Sequence, residues 1–442
     1  MLLNSILLKI QHFLKPVYDR SFVLQKIDWL IFANILLVIF TSTFASSDSI
    51  GYFAIFAIML TFIKLLVKPS EKFTLNIADK FLLIYFLIVL ISVCGSSLLT
   101  LSLKGFSKTL IYLGFYVSLV HYLKDNKSKI KYILLALALS AVGESFIALK
   151  QNFLSVSEIS GWQDVSRLNP EEVMTRVYGS LKPYNPNLFG GYMLSVLPST
   201  LVLSILPLLN KHYKTAVSGL GCFLLVAISI VLTGCRGSYI GLFFEFILLA
   251  LLIYRFLKPK FKKMFMTLAA AFSAFVFMVV ISTASLRARI FSIFAMRSDS
   301  SNSFRFNVYN SCIDMFKDNW ILGIGVGNQN FREIYGLYMK TGFDALSAYN
   351  IYLETAVESG IFALFAFLAF VGFNLKSAIT YILKRKNIKV IYVSIALISL
   401  IGILMHGFVD TVFFRPQIQF VFWIMMGILR VITIDNKIYC IK

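Results

Sequence analysis

Charge is scarce in this chain. Asp, Glu, Lys and Arg make up only 14% of its 442 residues, while 58% are hydrophobic and mean hydropathy is +0.80. Ordinary soluble domains carry about 25% charged residues, so a cytosolic enzyme is excluded by composition. Acidic residues are the rarer sign, 21 against 42 basic, which leaves a formal charge of +21. Cysteine is sparse too. Cys94, Cys222, Cys235, Cys312 and Cys440 are scattered and form no CxxC. That excludes a secreted disulfide scaffold and gives no zinc-ligand spacing. No metal site and no cofactor are expected. A pairing of Cys235 with Cys312 stays open, since both fall on one side of the membrane in the topology below.

Long apolar runs are what the chain has instead. A spanning helix needs about 20 apolar residues, and twelve segments qualify. They are Trp29–Ser46, Ile50–Val67, Phe81–Leu101, Leu110–Leu123, Tyr132–Leu149, Leu188–Leu209, Ala216–Thr233, Tyr239–Tyr254, Phe265–Thr283, Gly360–Ile382, Val390–Met405 and Ile418–Ile432. The expected fold is therefore an all-α integral membrane protein of about 12 transmembrane helices, one polytopic domain over residues 1–442.

The basic excess then becomes a topology signal. With the N-terminus inside, the cytoplasmic segments and adjoining span ends hold 27 of the 42 basic residues and only six acids, from Lys9 to Lys442. The whole excess of +21 lies there, so no nucleic-acid partner is implied, and both termini are expected in the cytoplasm. Residues 1–28 carry Leu2, Ile6, Ile10 and Phe13 at helical spacing with Lys9 and Lys15 between them, an interfacial segment and not a signal peptide. Two extracytoplasmic loops are long, residues 150–187 and, before the tenth span, 286–359. Loops of that size carry function more often than packing.

Few motifs stand out. In Thr233-Gly-Cys-Arg-Gly-Ser238 one arginine, Arg236, sits in a tight turn between two spans. It can snorkel to lipid phosphate or grip a phosphate with its planar fork. Arg305 precedes an apolar stripe of Phe304, Val308, Cys312, Met315 and Trp320, where a surface ion pair is the plain alternative. Gly323-Ile-Gly-Val-Gly-Asn328 lacks the spacing of a nucleotide loop and is expected as a flexible turn. Glu354 and Glu358 share a helix face, suited to acid–base work or to simple solvation. Glu245, two to three turns below Arg236, is an ionisable group within a span and could share its cavity.

In order along the chain, Asn185-Pro-Asn-Leu-Phe-Gly-Gly191, Thr233–Ser238, Arg305, Gly323–Asn328 and Ala348-Tyr-Asn-Ile-Tyr-Leu-Glu354 resemble the O-antigen ligase/polymerase superfamily of polytopic bacterial membrane proteins. The resemblance covers the central and C-terminal two-thirds. It implies transfer of a glycan from a polyprenyl-diphosphate donor to an acceptor outside the bacterial cytoplasmic membrane, with membrane lipids as surroundings and no metal. By that resemblance Arg236 and Arg305 hold the diphosphate, with Tyr349 and Asn350 at the catalytic position. Asn185, Asn187, Glu245, Glu354 and His406 are expected toward the substrate.

One departure is plain: the ligases have histidine where this chain has Tyr349, a poor base at neutral pH. His406 with Asp410 at i+4 is a possible orienting pair. The stretch Tyr335–Asn350 is similar to a branch labelled inorganic-carbon (bicarbonate) transporters. A small-anion transporter and a catalytically inactive envelope-assembly scaffold therefore stand as alternatives. Oligomeric state is not legible.

Overall fold

A computed structural model describes residues 2–68, 75–153, 172 and 174–434, with side chains from Gln11 onward. Residues 154–171 and 173 of the expected 150–187 loop, and the C-terminal Lys437, Cys440 and Lys442, lie outside the described residues. The described chain is helical, as a lipid-solvated backbone requires, because a helix satisfies its own N–H and C=O groups.

After helix α1 (Leu2–Arg20), tied down by Gln11 donating to Leu65 O, comes α2 (Ile27–Thr41), apolar but only 15 residues long. Next are α3 (Ser47–Val67), α4 (Ile77–Cys94), α5 (Leu99–Asp125) and α6 (Ile130–Asn152). The segments α7 (Pro186–Val196) and α8 (Leu201–Leu209) form one crossing. Then follow α9 (Tyr213–Leu232), α10 (Arg236–Phe256) and α11 (Pro259–Ser282). The final spans are α15 (Ile351–Lys384), α16 (Lys389–His406) and α17 (Pro416–Ile434).

Among the described residues ten helices are long and apolar enough to cross a membrane. Each of the twelve expected segments falls on a helix, but two are not among those ten. Trp29–Ser46 shortens to α2, and Leu110–Leu123 is part of α5, whose Lys104, Lys108, Lys124 and Asp125 make it more polar than a typical span. The sixth expected span is broken: Pro198 has no N–H to continue the helix, and residues Leu197–Thr200 form a tighter 3-10 turn between α7 and α8.

Burial orders the bundle. In α17, 94% of the spanning window is buried inside the protein, and in α11 none of it is. So α17 is the centre and α11 an apolar helix at the edge. Opposite charges pair at one end: Arg430 on α17 and Asp79 on α4, both buried, at 2.5 Å, and buried Lys64 on α3 against the partly exposed Asp28 at 2.7 Å.

At the other end, hereafter the loop end, residues 286–359 are folded. Helix α12 (Ala284–Phe291) leads toward α13 (Ser300–Asp318), which with α14 (Asn328–Tyr335) and the start of α15 surrounds a small core of Val308, Cys312, Met315, Phe331, Tyr335 and Val357. The stripe expected from the sequence thus forms as far as Met315, while Trp320 lies beyond the helix and half exposed.

Gly323–Asn328 is not the flexible turn that its glycines suggest. Ile324 N donates to Val357 O, Gly325 N to Glu358 O and Gly327 N to Glu358 Oε1, at 2.9 to 3.0 Å, while Ser96 donates to Ile324 O. The segment is pinned between α4, α5 and α15. Its room comes from a break in α15 at Gly360, which has φ +79°. A Cβ there would stand 2.0 Å from Ile321 O. Gly360→Ala therefore combines backbone strain with a backbone clash, together costing about 2 kcal/mol or more. Thermal unfolding in detergent should show a clear drop in Tm, and an unchanged Tm would mean that the break is not needed.

Candidate functional site

The tail of the first loop is held by helix side chains. Ser180 donates to Glu144 through both N–H and Oγ, Gln151 takes the N–H groups of Tyr178 and Gly179, and Val177 N donates to Leu232 O. This brace sets Arg176 at the loop end, where its Nε donates to Thr233 O at 2.8 Å and its terminal nitrogen to Asn187 Oδ1 at 2.6 Å. Asn187 stands in the first turn of α7, whose N-cap is Asn185; the Asn185 side chain accepts from the N–H groups of Asn187 and Leu188.

Arg236 opens α10 directly after the turn at Gly234, which has φ +60°. Its guanidinium points inward and donates to Asp299 Oδ1 at 2.8 Å and Ser292 Oγ at 3.2 Å. Arg289, from α12, donates to Gly234 O at 2.7 Å. Arg305, on the first turns of α13, donates to Ser301 Oγ and lies 3.7 Å from Asp410, with its Nε buried and without a hydrogen bond. Its guanidinium covers the Tyr349 ring at 5.6 Å.

Together Arg176, Arg236, Arg289 and Arg305 line one cavity of about 200 Å³. Asn187, Cys235, Asn302 and Tyr309 complete its polar wall, and Asp410 is the carboxylate on it. That carboxylate is engaged: Oδ1 accepts from the N–H groups of Thr411 and Val412, and Oδ2 from Asn187 Nδ2. Four guanidinium groups around one occupied carboxylate suit a polyanion, because charge-assisted donors are strongest where water is excluded.

The residues singled out in the sequence divide. Arg236, Arg305 and Asn187 reach this cavity. Tyr349 backs Arg305, and burial followed by the Asp410 charge raises its phenol above its usual range. A phenol raised in this way is a poor base at neutral pH, and its ring makes a cation–π contact with Arg305. Asn350 caps α15: its Oδ1 accepts from the N–H groups of Tyr352 and Leu353, and its Nδ2 donates to Phe408 O. Asn185 is likewise a cap.

The carboxylates expected near the substrate lie elsewhere. Glu245 does not share the arginine cavity; it faces a separate void of about 10 Å³ among Leu197, Pro198, Phe223 and Ile398. Glu354 and Glu358 are buried and not a solvated face. Glu354 accepts from Ala348 N, and both border a different cavity of about 350 Å³. His406 is buried with Nε2 3.6 Å from Cys235 Sγ, so its partner is that thiol and not Asp410. Cys235 and Cys312 are separate free thiols. Arg176 and Arg289 escaped the sequence reading, and Cys235 entered it only as a disulfide candidate. The signal of the two arginines was basic charge on the side of the membrane where the topology expects less of it.

Asp299 gives a pH test of this geometry. Burial raises its carboxyl, but the Arg236 hydrogen bond and the Asn302 N–H outweigh burial and leave it below the usual value. A depressed carboxyl contributes stability that is present above its unfolded pKa, about 3.9, and is lost as pH falls through the lower folded value. Wild-type Tm should therefore fall more steeply below about pH 4 than that of Asp299→Asn. Parallel curves would show that the pair contributes nothing.

Among curated proteins none matches the chain. A family model described as O-Antigen ligase matches residues 221–368, a third of the chain, running from α9 into α15. That segment supplies Arg236, Arg289 and Arg305, and over it this polytopic membrane protein is similar to the O-antigen ligases.

Proposed function

We propose that the protein transfers or polymerises a glycan carried on a polyprenyl diphosphate, at the outer face of a bacterial cytoplasmic membrane. The observation that carries this reading is the convergence of Arg176, Arg236, Arg289 and Arg305 on one cavity at the loop end. A diphosphate leaving group gains negative charge as its bond to the sugar breaks. Guanidinium groups already fixed by Thr233, Asn187, Ser292, Asp299 and Gly234 meet that charge without reorganising. The cavity borders the membrane-spanning helices α7 and α10, so a donor could keep its isoprenoid tail in lipid while its diphosphate enters. In this reading the lysine-rich end of the bundle faces the cytoplasm and both termini lie there.

Purified protein in proteoliposomes should bind a polyprenyl-diphosphate oligosaccharide at least about a hundredfold more tightly than the matching polyprenol, since each charge-assisted hydrogen bond contributes about 1.5–3 kcal/mol. Given an acceptor, it should release polyprenyl diphosphate. Equal affinity for both lipids would sink the reading. Saturable uptake of labelled bicarbonate with no glycan transfer would instead favour the small-anion transporter, which would use the same arginines.

A further inference from the structure

Cys235 is the N-cap of α10 and lines the arginine cavity, and His406 stands behind it, outside the cavity wall. The pair is closely built. Three glycines face it with bare Cα atoms. A Cβ on Gly237 would lie 2.2 Å from His406 Cδ2, one on Gly191 2.9 Å from His406 Cε1, and one on Gly190 3.0 Å from Cys235 Cβ. Nothing larger than glycine fits at Gly237 without displacing the imidazole. Two of these glycines bring backbone against the imidazole and the third brings it against the cysteine, so the pair is held from both sides.

The surroundings favour a thiolate. A helix N-terminus, an imidazole and neighbouring arginines are the settings that lower a thiol's pKa. Burial raises Cys235, but the hydrogen bond and charge of His406 outweigh it and leave the thiol at about 7. Asp410, the other candidate base on the cavity wall, already accepts from three donors and faces Arg305. The Tyr349 phenol is held neutral. Of the groups facing the thiol, His406 stabilises its charge while Asp410 opposes it, and Arg176 and Arg236 stand beside it in the cavity.

We propose that Cys235 is the general base of this site and His406 its positioning partner. The proposal rests on the glycan-transfer reading above. The Cys235 thiolate takes the proton from the acceptor hydroxyl as that oxygen bonds to the anomeric carbon. The bond from that carbon to the diphosphate oxygen breaks, and the electron pair leaves with polyprenyl diphosphate among the arginines. The thiol then returns its proton to water, and His406 stays hydrogen-bonded to the sulfur. The chain thus supplies its base from the α10 turn instead of from position 349.

The test uses full-length protein in proteoliposomes with a synthetic polyprenyl-diphosphate oligosaccharide as donor. Cys235→Ala and Cys235→Ser should each lower kcat about 10²–10⁴-fold, the usual contribution of a general base, with donor affinity and Tm unchanged. Wild-type rates should rise with pH through about 7, the pKa of the thiol, and in His406→Gln this limb should move to higher pH. Alkylation of Cys235 by iodoacetamide, followed by mass spectrometry of its peptide, should show the same two pH dependences without any turnover. Transfer in Cys235→Ala within about threefold of wild type, far below a base's usual share, would overturn the base while leaving the transfer reading intact. Alkylation that rises only above about pH 8.5, as for an ordinary thiol, would overturn it as well. A wild-type protein that transfers nothing would remove both readings together.

Discussion

Alanine at Arg236 or at Arg305 is expected to lower glycan transfer by about 10²–10³ in kcat, the loss seen when one preorganised donor to a developing anion is removed. The two variants differ in risk. Arg236 also holds the turn between α12 and α13 through Ser292 and Asp299, and its loss leaves the Asp299 carboxylate short of a partner. Some loss of Tm should accompany the loss of activity there. Arg305 hydrogen-bonds Ser301 and stacks on Tyr349, so Arg305→Ala should fold normally and still fail to transfer. Lysine at either position keeps the charge but loses the planar fork, and should recover only part of the rate. Transfer at the wild-type rate by stably folded Arg305→Ala would remove that arginine from the site.

Replacing Arg430 by methionine should cost about 3–5 kcal/mol of stability, because it leaves a buried carboxylate without its counter-charge. Arg430 Nε lies 2.8 and 2.9 Å from the two oxygens of Asp79, and both side chains are under 10% exposed. The pair joins α17, the most buried span, to the first turn of α4, where Asp79 also accepts from Asn76 N in a capping box. In the double variant Arg430→Met, Asp79→Asn the asparagine can still accept that N–H, so much of the loss should be recovered. Thermal unfolding of the three proteins in one detergent decides it. A single variant as stable as wild type would mean that water reaches the pair.

The same residues show where a one-dimensional reading stops. Arg430 and Lys64 both counted toward the positive-inside pattern, which treats each basic residue as a charge facing water. The fold instead buries them against Asp79 and against Asp28 and Asp125. The two glutamates at 354 and 358 share a helix face, as their spacing says. Whether that face meets water or protein depends on Gly323–Asn328 returning to pack on it, a contact made across some thirty residues of chain.

Hydropathy along the chain determined the fold class and the approximate place of every span, because a helix in lipid has to be apolar over its whole length whatever its neighbours are. The order of its motifs determined the likeness to O-antigen ligases, and two of the four arginines stood out within it. Tertiary structure alone decided the cavity. Arg176, Asn187, Cys235, Arg289 and Asp410 come from five separate stretches of chain and meet only when the loop end folds. It also decided that His406 faces Cys235, that Glu245 stands apart, and that Asn185 and Asn350 are caps. The physical reason is reach. Burial in lipid acts on each residue through its own neighbours in sequence, whereas hydrogen bonds and ion pairs act over about 3 Å, between groups whose separation only the folded chain sets.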